Sequence, residues 1–336
     1  MNSVCSPIHI SIITPSYNQG QYIEQTIDSV LSQNYPHLDY IIIDGGSTDN
    51  SVEIIKKYEK HLSYWVSEKD NGQSHAINKG FSRAKGEVIN WLNSDDYYLP
   101  GALKTVSEYF QDKNINVLCG KSQIVKNGKL VKISGGTDIY LELSKTIGWA
   151  RTDQPETFYR KSCIDSIGVL NQGLHYVMDK ELWIRYLCKY GLRNVKQTDD
   201  LLVAFRLHGS SKTTNQQSLF DKETGSLFQK FALEYGLDNE VKVFSDLGNV
   251  SDEVERHIFE GLEVEEANRV LQYYFLQQAF RLYALNDFNS SQYFLKQIDF
   301  SQISESDKIE IQKISDRMKY PVALKKLINL YNKIRK

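Results

Sequence analysis

Proline is scarce, 6 residues in 336 against 20 glycines, and with 41% hydrophobic and 24% charged side chains this excludes collagen-like repeats and long disorder. Cysteine is scarcer still. Cys5, Cys119, Cys163 and Cys188 stand singly, without the close pairs that a zinc site or a disulfide scaffold needs, and they read as reduced, mostly buried thiols. Neither sign of charge is in surplus: 40 basic and 42 acidic side chains leave a net charge of -2. No global positive field therefore exists to hold a polyanion, which argues against nucleic acid as a partner. No apolar run approaches the ~20 residues of a membrane-spanning helix, and no basic flank with an apolar core opens the chain, so a cytoplasmic protein is expected. The length suits about two domains.

The run Ile8-His9-Ile10-Ser11-Ile12-Ile13 is short, rich in β-branched residues and stopped by Thr14-Pro15-Ser16, which predicts a buried strand entering a loop. Between Tyr22 and Gln33, Ile23, Ile27, Val30 and Leu31 recur at three- and four-residue steps, the stripe of a helix packed on a sheet. A second strand is expected at residues 40–43, and a helix opening at Ser47-Thr48-Asp49 carries Val52, Ile54, Ile55 and Tyr58. A further helix near residues 76–84 leads to a third strand at 88–92. Such alternation predicts an α/β fold with a mostly parallel sheet, its ligands gathered at the carboxyl ends of the strands. The polar segments at residues 14–18, 44–49 and 93–96 follow those three strands and should share one rim.

One more strand is expected at residues 201–205. Beyond residue 211 strand-like alternation stops, and residues 212–222 read as a linker before a helical domain at 223–336. Residues 267–285 and 290–298 form a helical hairpin turned by Asn286-Asp287-Phe288-Asn289, and no fixed period marks an array of repeats. From Pro321 to Lys336, Lys325, Lys326, Lys333, Arg335 and Lys336 alternate with Leu324, Leu327, Ile328 and Leu330. That pattern suits either an anionic membrane surface or a solvated helix.

Asp95 and Asp96 end an otherwise apolar strand. Adjacent carboxylates there either hold a hard cation such as magnesium or manganese, or cap a helix beginning near Leu99-Pro100-Gly101-Ala102. Asp44-Gly45-Gly46-Ser47 and Asp70-Asn71-Gly72-Gln73 add carboxylates and pliable backbone at neighbouring strand ends, which favours a site. Asp179 lies in the first turn of a helix whose buried face carries Leu182, Trp183, Tyr186 and Leu187, so capping is the plain alternative to catalysis. His208, in a polar loop after a strand, is a solvated residue or a ligand.

Taken in order, Thr14-Pro15-Ser16-Tyr17-Asn18, Asp44-Gly45-Gly46-Ser47-Thr48-Asp49, Asp70-Asn71-Gly72-Gln73, Asn78-Lys79-Gly80, Trp91-Leu92-Asn93-Ser94-Asp95-Asp96, Gln154-Pro155-Glu156-Thr157-Phe158 and Met178-Asp179-Lys180-Glu181-Leu182-Trp183 resemble the family-two glycosyltransferases. The resemblance spans roughly residues 8 to 211 and leaves the helical remainder uncovered. It implies a GT-A nucleotide-diphosphate-sugar-binding fold over residues 1–211. The implied reaction is inverting transfer of a sugar from a nucleotide diphosphate, UDP favoured, to an acceptor hydroxyl in polysaccharide or glycolipid synthesis.

By the same resemblance Pro15, Tyr17 and Asp44 hold the base, and Asp70 and Gln73 help place base and ribose. Asn93 and Asp95 occupy the ends of a D-x-D motif, Asp95 ligating Mn2+ or Mg2+, with His208 and Asp96 as further candidate ligands. Asn93 stands where Asp is commoner and brings no charge to the cation. Asp179 aligns with the general base. Asn78, Trp149, Gln154 and Glu156 are expected near sugar or acceptor, Trp149 because an aromatic face suits the C–H surface of a pyranose. Such an enzyme is expected in the cytoplasm, touching the inner face of the plasma membrane through its basic C-terminal segment.

Two other enzyme classes fit poorly. A dinucleotide-binding dehydrogenase needs its glycine fingerprint after the first strand, and a nucleotidyltransferase needs a Gly-rich, basic triphosphate loop there; the chain has Thr14-Pro15-Ser16-Tyr17-Asn18. A catalytically inactive nucleotide-sugar or carbohydrate-binding scaffold working through the helical domain is the rival outside enzymology, and the presence of Asp95 and Asp179 argues against it.

Overall fold

The computed structural model describes residues 6–209, 211, 216–246 and 259–334. Ser210 and residues 212–215 of the expected linker, Cys5, and Arg335 and Lys336 of the basic segment lie outside the described residues. Two compact units divide the chain: residues 1–138, 151–224 and 251–260 form one, and residues 139–150, 225–250 and 261–336 the other. Residues 139–150, read from sequence with the sheet domain, thus group with the helices.

In the first unit β1 (Ile10–Ser16), β2 (Leu38–Asp44), β3 (Tyr64–Ser67) and β4 (Val88–Trp91) pair in parallel in the order β3-β2-β1-β4. The helices α1 (Ile23–Leu31), α2 (Ser51–Lys57) and α3 (Gln73–Arg83) connect them. Ile10, Ile12, Ile23, Ile27, Val30, Tyr40, Ile42, Ile54 and Ile55 form part of the buried core that drives this packing. Gly80 shows how closely α3 lies on the sheet, because a Cβ there would stand 2.4 Å from Ile13 Cγ2.

Beyond β4 the sheet becomes mixed. After β5 (Tyr97–Tyr98) and α4 (Ala102–Phe110), the hairpin β6 (Val117–Lys126) and β7 (Lys129–Ser134) precedes β8 (Thr157–Arg160) and α6 (Lys161–Ile167) in this unit. Then come α7 (Met178–Tyr190) and β9 (Val195–Leu207). β8 is antiparallel to β4 and β6, β9 is parallel to β6, and β5 is antiparallel to β9. Cys119, Cys163 and Cys188 are free and buried, and burial pushes the Cys119 thiol up to about 12.

The second unit holds α5 (Leu143–Gly148), the later turns of α8 (Gln217–Glu234), and α9 (Asp238–Asp246). It continues with α10 (Val264–Ala284), α11 (Phe288–Gln297), α12 (Glu305–Met318) and α13 (Val322–Ile334). The hairpin predicted from sequence is the pair α10 and α11. Phe228 stacks on Tyr274 at 4.2 Å, and Phe244 packs on Tyr274 and Phe275. Residues 217–222, read above as linker, are helical and open α8.

Candidate active site

The parallel strands end together, and their loops are laced by side chains. Asp44, the last residue of β2, is fully buried, and its Oδ2 accepts from Gly46 N at 3.1 Å, Ser47 N at 2.9 Å and Ser67 Oγ at 2.7 Å. Its Oδ1 accepts from Ser47 Oγ at 2.5 Å. A carboxylate so occupied shapes its own loop, and this conformation does not offer it to a base. Asn18 N donates to Ser47 Oγ and Thr48 N to Asn18 Oδ1, both at 2.8 Å, which ties the β1 loop to the β2 loop. Pro15 is buried in β1 beside Ile43, whereas Tyr17 is 61% exposed on the loop beyond it.

Asp70 lies against Gly45, where a Cβ would come within 2.7 Å of Asp70 Oδ2, and its Oδ1 accepts from Gly72 N. Gln73, opening α3, donates from Nε2 to Asn93 Oδ1 at 2.8 Å. Asn93 and Gln73, both expected on the nucleotide side, therefore meet directly.

Asp95 and His208 also come together, although 113 residues separate them: His208 Nε2 stands 2.9 Å from Asp95 Oδ2. Tyr22 packs on the imidazole with ring centroids 4.5 Å apart, and the Arg206 guanidinium lies 4.8 Å over the Tyr22 ring. Asp96 faces elsewhere. It is 1% exposed, its Oδ1 accepts from Arg206 N at 2.9 Å, and its Oδ2 has no partner among the described residues. Burial first, then the Asp95 charge, raises its pKa well above the ordinary carboxylate value, which suits a strut joining the segment before β5 to β9.

Among the described residues no three His, Cys, Asp or Glu side chains gather to enclose a metal ion. Asp95 and His208 still fit a divalent cation whose remaining ligands are phosphate and water oxygens, the mode common for Mg2+, and the imidazole tilts the choice toward Mn2+.

The carboxylates of α7 differ sharply. Glu181 is buried and paired with Arg185, Oε1 to Nε at 2.7 Å and Oε2 to Nη2 at 2.9 Å, while Arg185 also donates to the carbonyls of Ile167, Gly168 and Val169. Asp179 is half-buried, its Oδ1 accepts from Lys180 N at 2.8 Å, and burial is the main reason its pKa rises to about 6, the Asp153 charge adding to it. Lys180 and the backbone amides pull the other way.

Glu156 is buried, its Oε1 without a partner among the described residues, and burial followed by repulsion from Asp153 raises it to about 8. Gln154 is buried and donates to Asn90 Oδ1 and the Trp91 carbonyl, each at 2.7 Å. Asn78 is spent on Leu170, donating to its carbonyl and accepting from its amide. Trp149 belongs to the helical unit, where its indole packs edge-on to Phe280 at 5.2 Å.

Sequence reasoning missed Glu223, on the first turns of α8. Its carboxylate accepts from His175 N at 2.8 Å, Tyr176 N at 2.6 Å and Val177 N at 2.8 Å, the backbone just ahead of Asp179. Phe220 meets Tyr176 edge-on at 5.2 Å. No local pattern marks a glutamate 44 residues downstream as the cap of α7. Arg206 and Tyr22 were also missed, although Arg206 stands two residues before His208.

A sheet whose parallel half gathers polar loops at its carboxyl edge, continued by mixed strands, is the architecture of a GT-A fold. Residues 11–164, a little under half of the chain, match the profile of Glycosyl transferase family 2, which marks this stretch as a glycosyltransferase domain. The chain is 27% identical over 223 residues to an uncharacterized glycosyltransferase of Rickettsia typhi, covering 62% of this chain and 67% of the relative. Among solved structures, S. aureus TarS residues 1–349 in complex with UDP-GlcNAc superpose with a TM-score of 0.59 at 17% identity, covering 88% of this chain and 83% of that one. The chain spans half of the longer TarS structure. The Pyrobaculum calidifontis mannosyltransferase PcManGT, in complex with GDP-Man and Mn2+, gives a TM-score of 0.55 at 14% identity, covering 98% and 89%.

Proposed function

We propose that this glycosyltransferase inverts the anomeric centre as it moves a sugar from a nucleoside diphosphate, a UDP-sugar first, to a hydroxyl of a glycan or glycolipid, acting in the cytoplasm. The observation that carries the reading is Asp179: a half-buried carboxylate in the first turn of α7, raised to about 6, and without a bidentate arginine clamp among the described residues like the one on Glu181. A base with that affinity is ionised at neutral pH yet still takes a proton. It would accept the acceptor's hydroxyl proton as the oxygen attacks from the face opposite the diphosphate.

Tyr17 offers its exposed ring for stacking on the base, while Asp70 and the Gln73–Asn93 pair reach base and ribose. Asp44 and Pro15 act through the loops they set. The UDP-GlcNAc complex of TarS supports a uridine donor, and the Mn2+ in PcManGT supports a divalent cation. Asp95 and His208 would hold that ion, which when bound neutralises charge on the leaving diphosphate.

The test is turnover of a panel of nucleotide sugars with Mn2+, wild type beside Asp179→Asn. We expect a loss of ~10²–10⁴ in kcat with UDP affinity unchanged. Equal turnover by the two proteins would remove Asp179 from the role, and failure of every nucleoside diphosphate to bind would return the chain to a scaffold.

A further inference from the structure

Helix α13 is packed inside out. Among its described side chains the two most buried are polar, Lys325 and Asn329, each 7% exposed and one turn apart. Asn329 donates from Nδ2 to the Tyr283 carbonyl at 2.7 Å and to Asn286 Oδ1 at 3.0 Å, and Lys325 Nζ donates to the Met318 carbonyl at 3.3 Å and lies 4.4 Å over the Phe288 ring. The opposite face is apolar and open: Leu324 is 42% exposed, Leu327 63% and Tyr331 57%. These three stand at i, i+3 and i+7, a single stripe, flanked by Leu330 at 56% and by Ala323. A water-facing helix normally carries the reverse pattern, so this stripe marks an interaction surface.

Charge selects the occupant. Residues 317–336 carry seven basic side chains and no acidic one, in a chain whose net charge is -2; of these Lys325 faces inward and Lys319 pairs with Asp316. Lys326, exposed, borders the apolar stripe. An apolar stripe rimmed by cations is the chemistry of a helix lying in the headgroup layer of an anionic bilayer, its leucines in the acyl boundary and its lysines among phosphates. The helix would lie on the surface and not cross it, since none in the described residues is long and apolar enough to span a membrane. We infer that α13 docks the protein on an anionic lipid surface, independently of which sugar it transfers.

The test is co-sedimentation of the full chain with phosphatidylcholine vesicles, with and without phosphatidylserine, alongside light scattering to fix the oligomeric state. Binding should require phosphatidylserine and weaken with salt. Lys326→Glu should weaken it at least fivefold or so, the effect of about one lost surface cation, and Leu327→Asp should abolish it. Because both side chains are exposed, melting temperature and turnover of soluble donor should stay at wild-type values. Absence of vesicle binding by the wild type would overturn the inference, as would binding that both variants retain. A concentration-dependent dimer that Leu327→Asp dissolves, without vesicle binding, would assign the stripe to a second copy of the chain instead.

Discussion

Asp179 and Glu181 share one helical turn, and the side chains around them separate their chemistry. Arg185 clamps the Glu181 carboxylate through two hydrogen bonds, a buried pair whose single-sided removal typically costs about 3–5 kcal/mol, whereas burial leaves Asp179 near 6. A base must be deprotonated to act, so turnover should rise as pH climbs through about 6 and level off above it, an inflection absent from the residual activity of Asp179→Asn. A flat profile for the wild type would remove the base. Glu156 gives a second pH test. Its folded pKa, about 8, exceeds the ordinary 4.5, so between these values the unfolded chain has released a proton that the folded chain keeps. Stability should therefore fall as pH rises through that window, by up to ~1.4 kcal/mol per unit for one proton. Glu156→Gln, neutral throughout, should melt like the wild type near pH 4.5 and higher than it at pH 8; equal melting at both values would show that Glu156 is ionised in the fold.

At the level of elements, the order of strands, helices and polar loops was legible because each has a local signature: β-branched runs, a 3.6-residue stripe, and Asp, Gly and Asn where the chain turns. The strand β3 escaped because Tyr64, Trp65, Val66 and Ser67 are all half-buried at the sheet edge, without alternation, and β5, β6, β7 and β8 were not expected either. The site was legible as a set of residue types and not as a set of contacts. Gln73 meets Asn93 across 20 residues, Ser67 meets Asp44 across 23, and Glu223 meets His175 across 48, none with a sequence pattern. Glu223 makes the clearest test of what such a contact does. The amides before α7 have no helical partners, and three of them converge on one carboxylate. Glu223→Ala should release residues 175–177 and lower kcat while leaving UDP affinity unchanged. Glu223→Gln keeps one oxygen for Tyr176 and Val177 and should recover part of the loss. If UDP affinity falls in step with kcat, the contact supports the unit generally and does not position Asp179.

For the molecule as a whole, the candidate nucleotide and cation groups all lie in the sheet unit, so ligand binding can be read as stability without observing catalysis. A ligand that binds only the folded state adds RT ln(1 + [L]/Kd), about 2.7 kcal/mol at a hundredfold excess over Kd, which for a chain of this size is a rise of several degrees in Tm. UDP alone should supply part of that rise through Tyr17, Asp70 and Gln73, and Mn2+ added with UDP should supply more through Asp95 and His208. The two increments can be separated by mutation. Asp95→Asn and His208→Ala should each erase the Mn2+-dependent increment and keep the UDP increment, because neither Gln73–Asn93 nor the loop around Asp44 depends on them. Removing both side chains together should cost no more than removing one, since a cation with a single protein ligand left is already released. If the Mn2+ increment survives both substitutions, the ion binds elsewhere and Asp95 with His208 is only a hydrogen-bonded pair joining two strand ends.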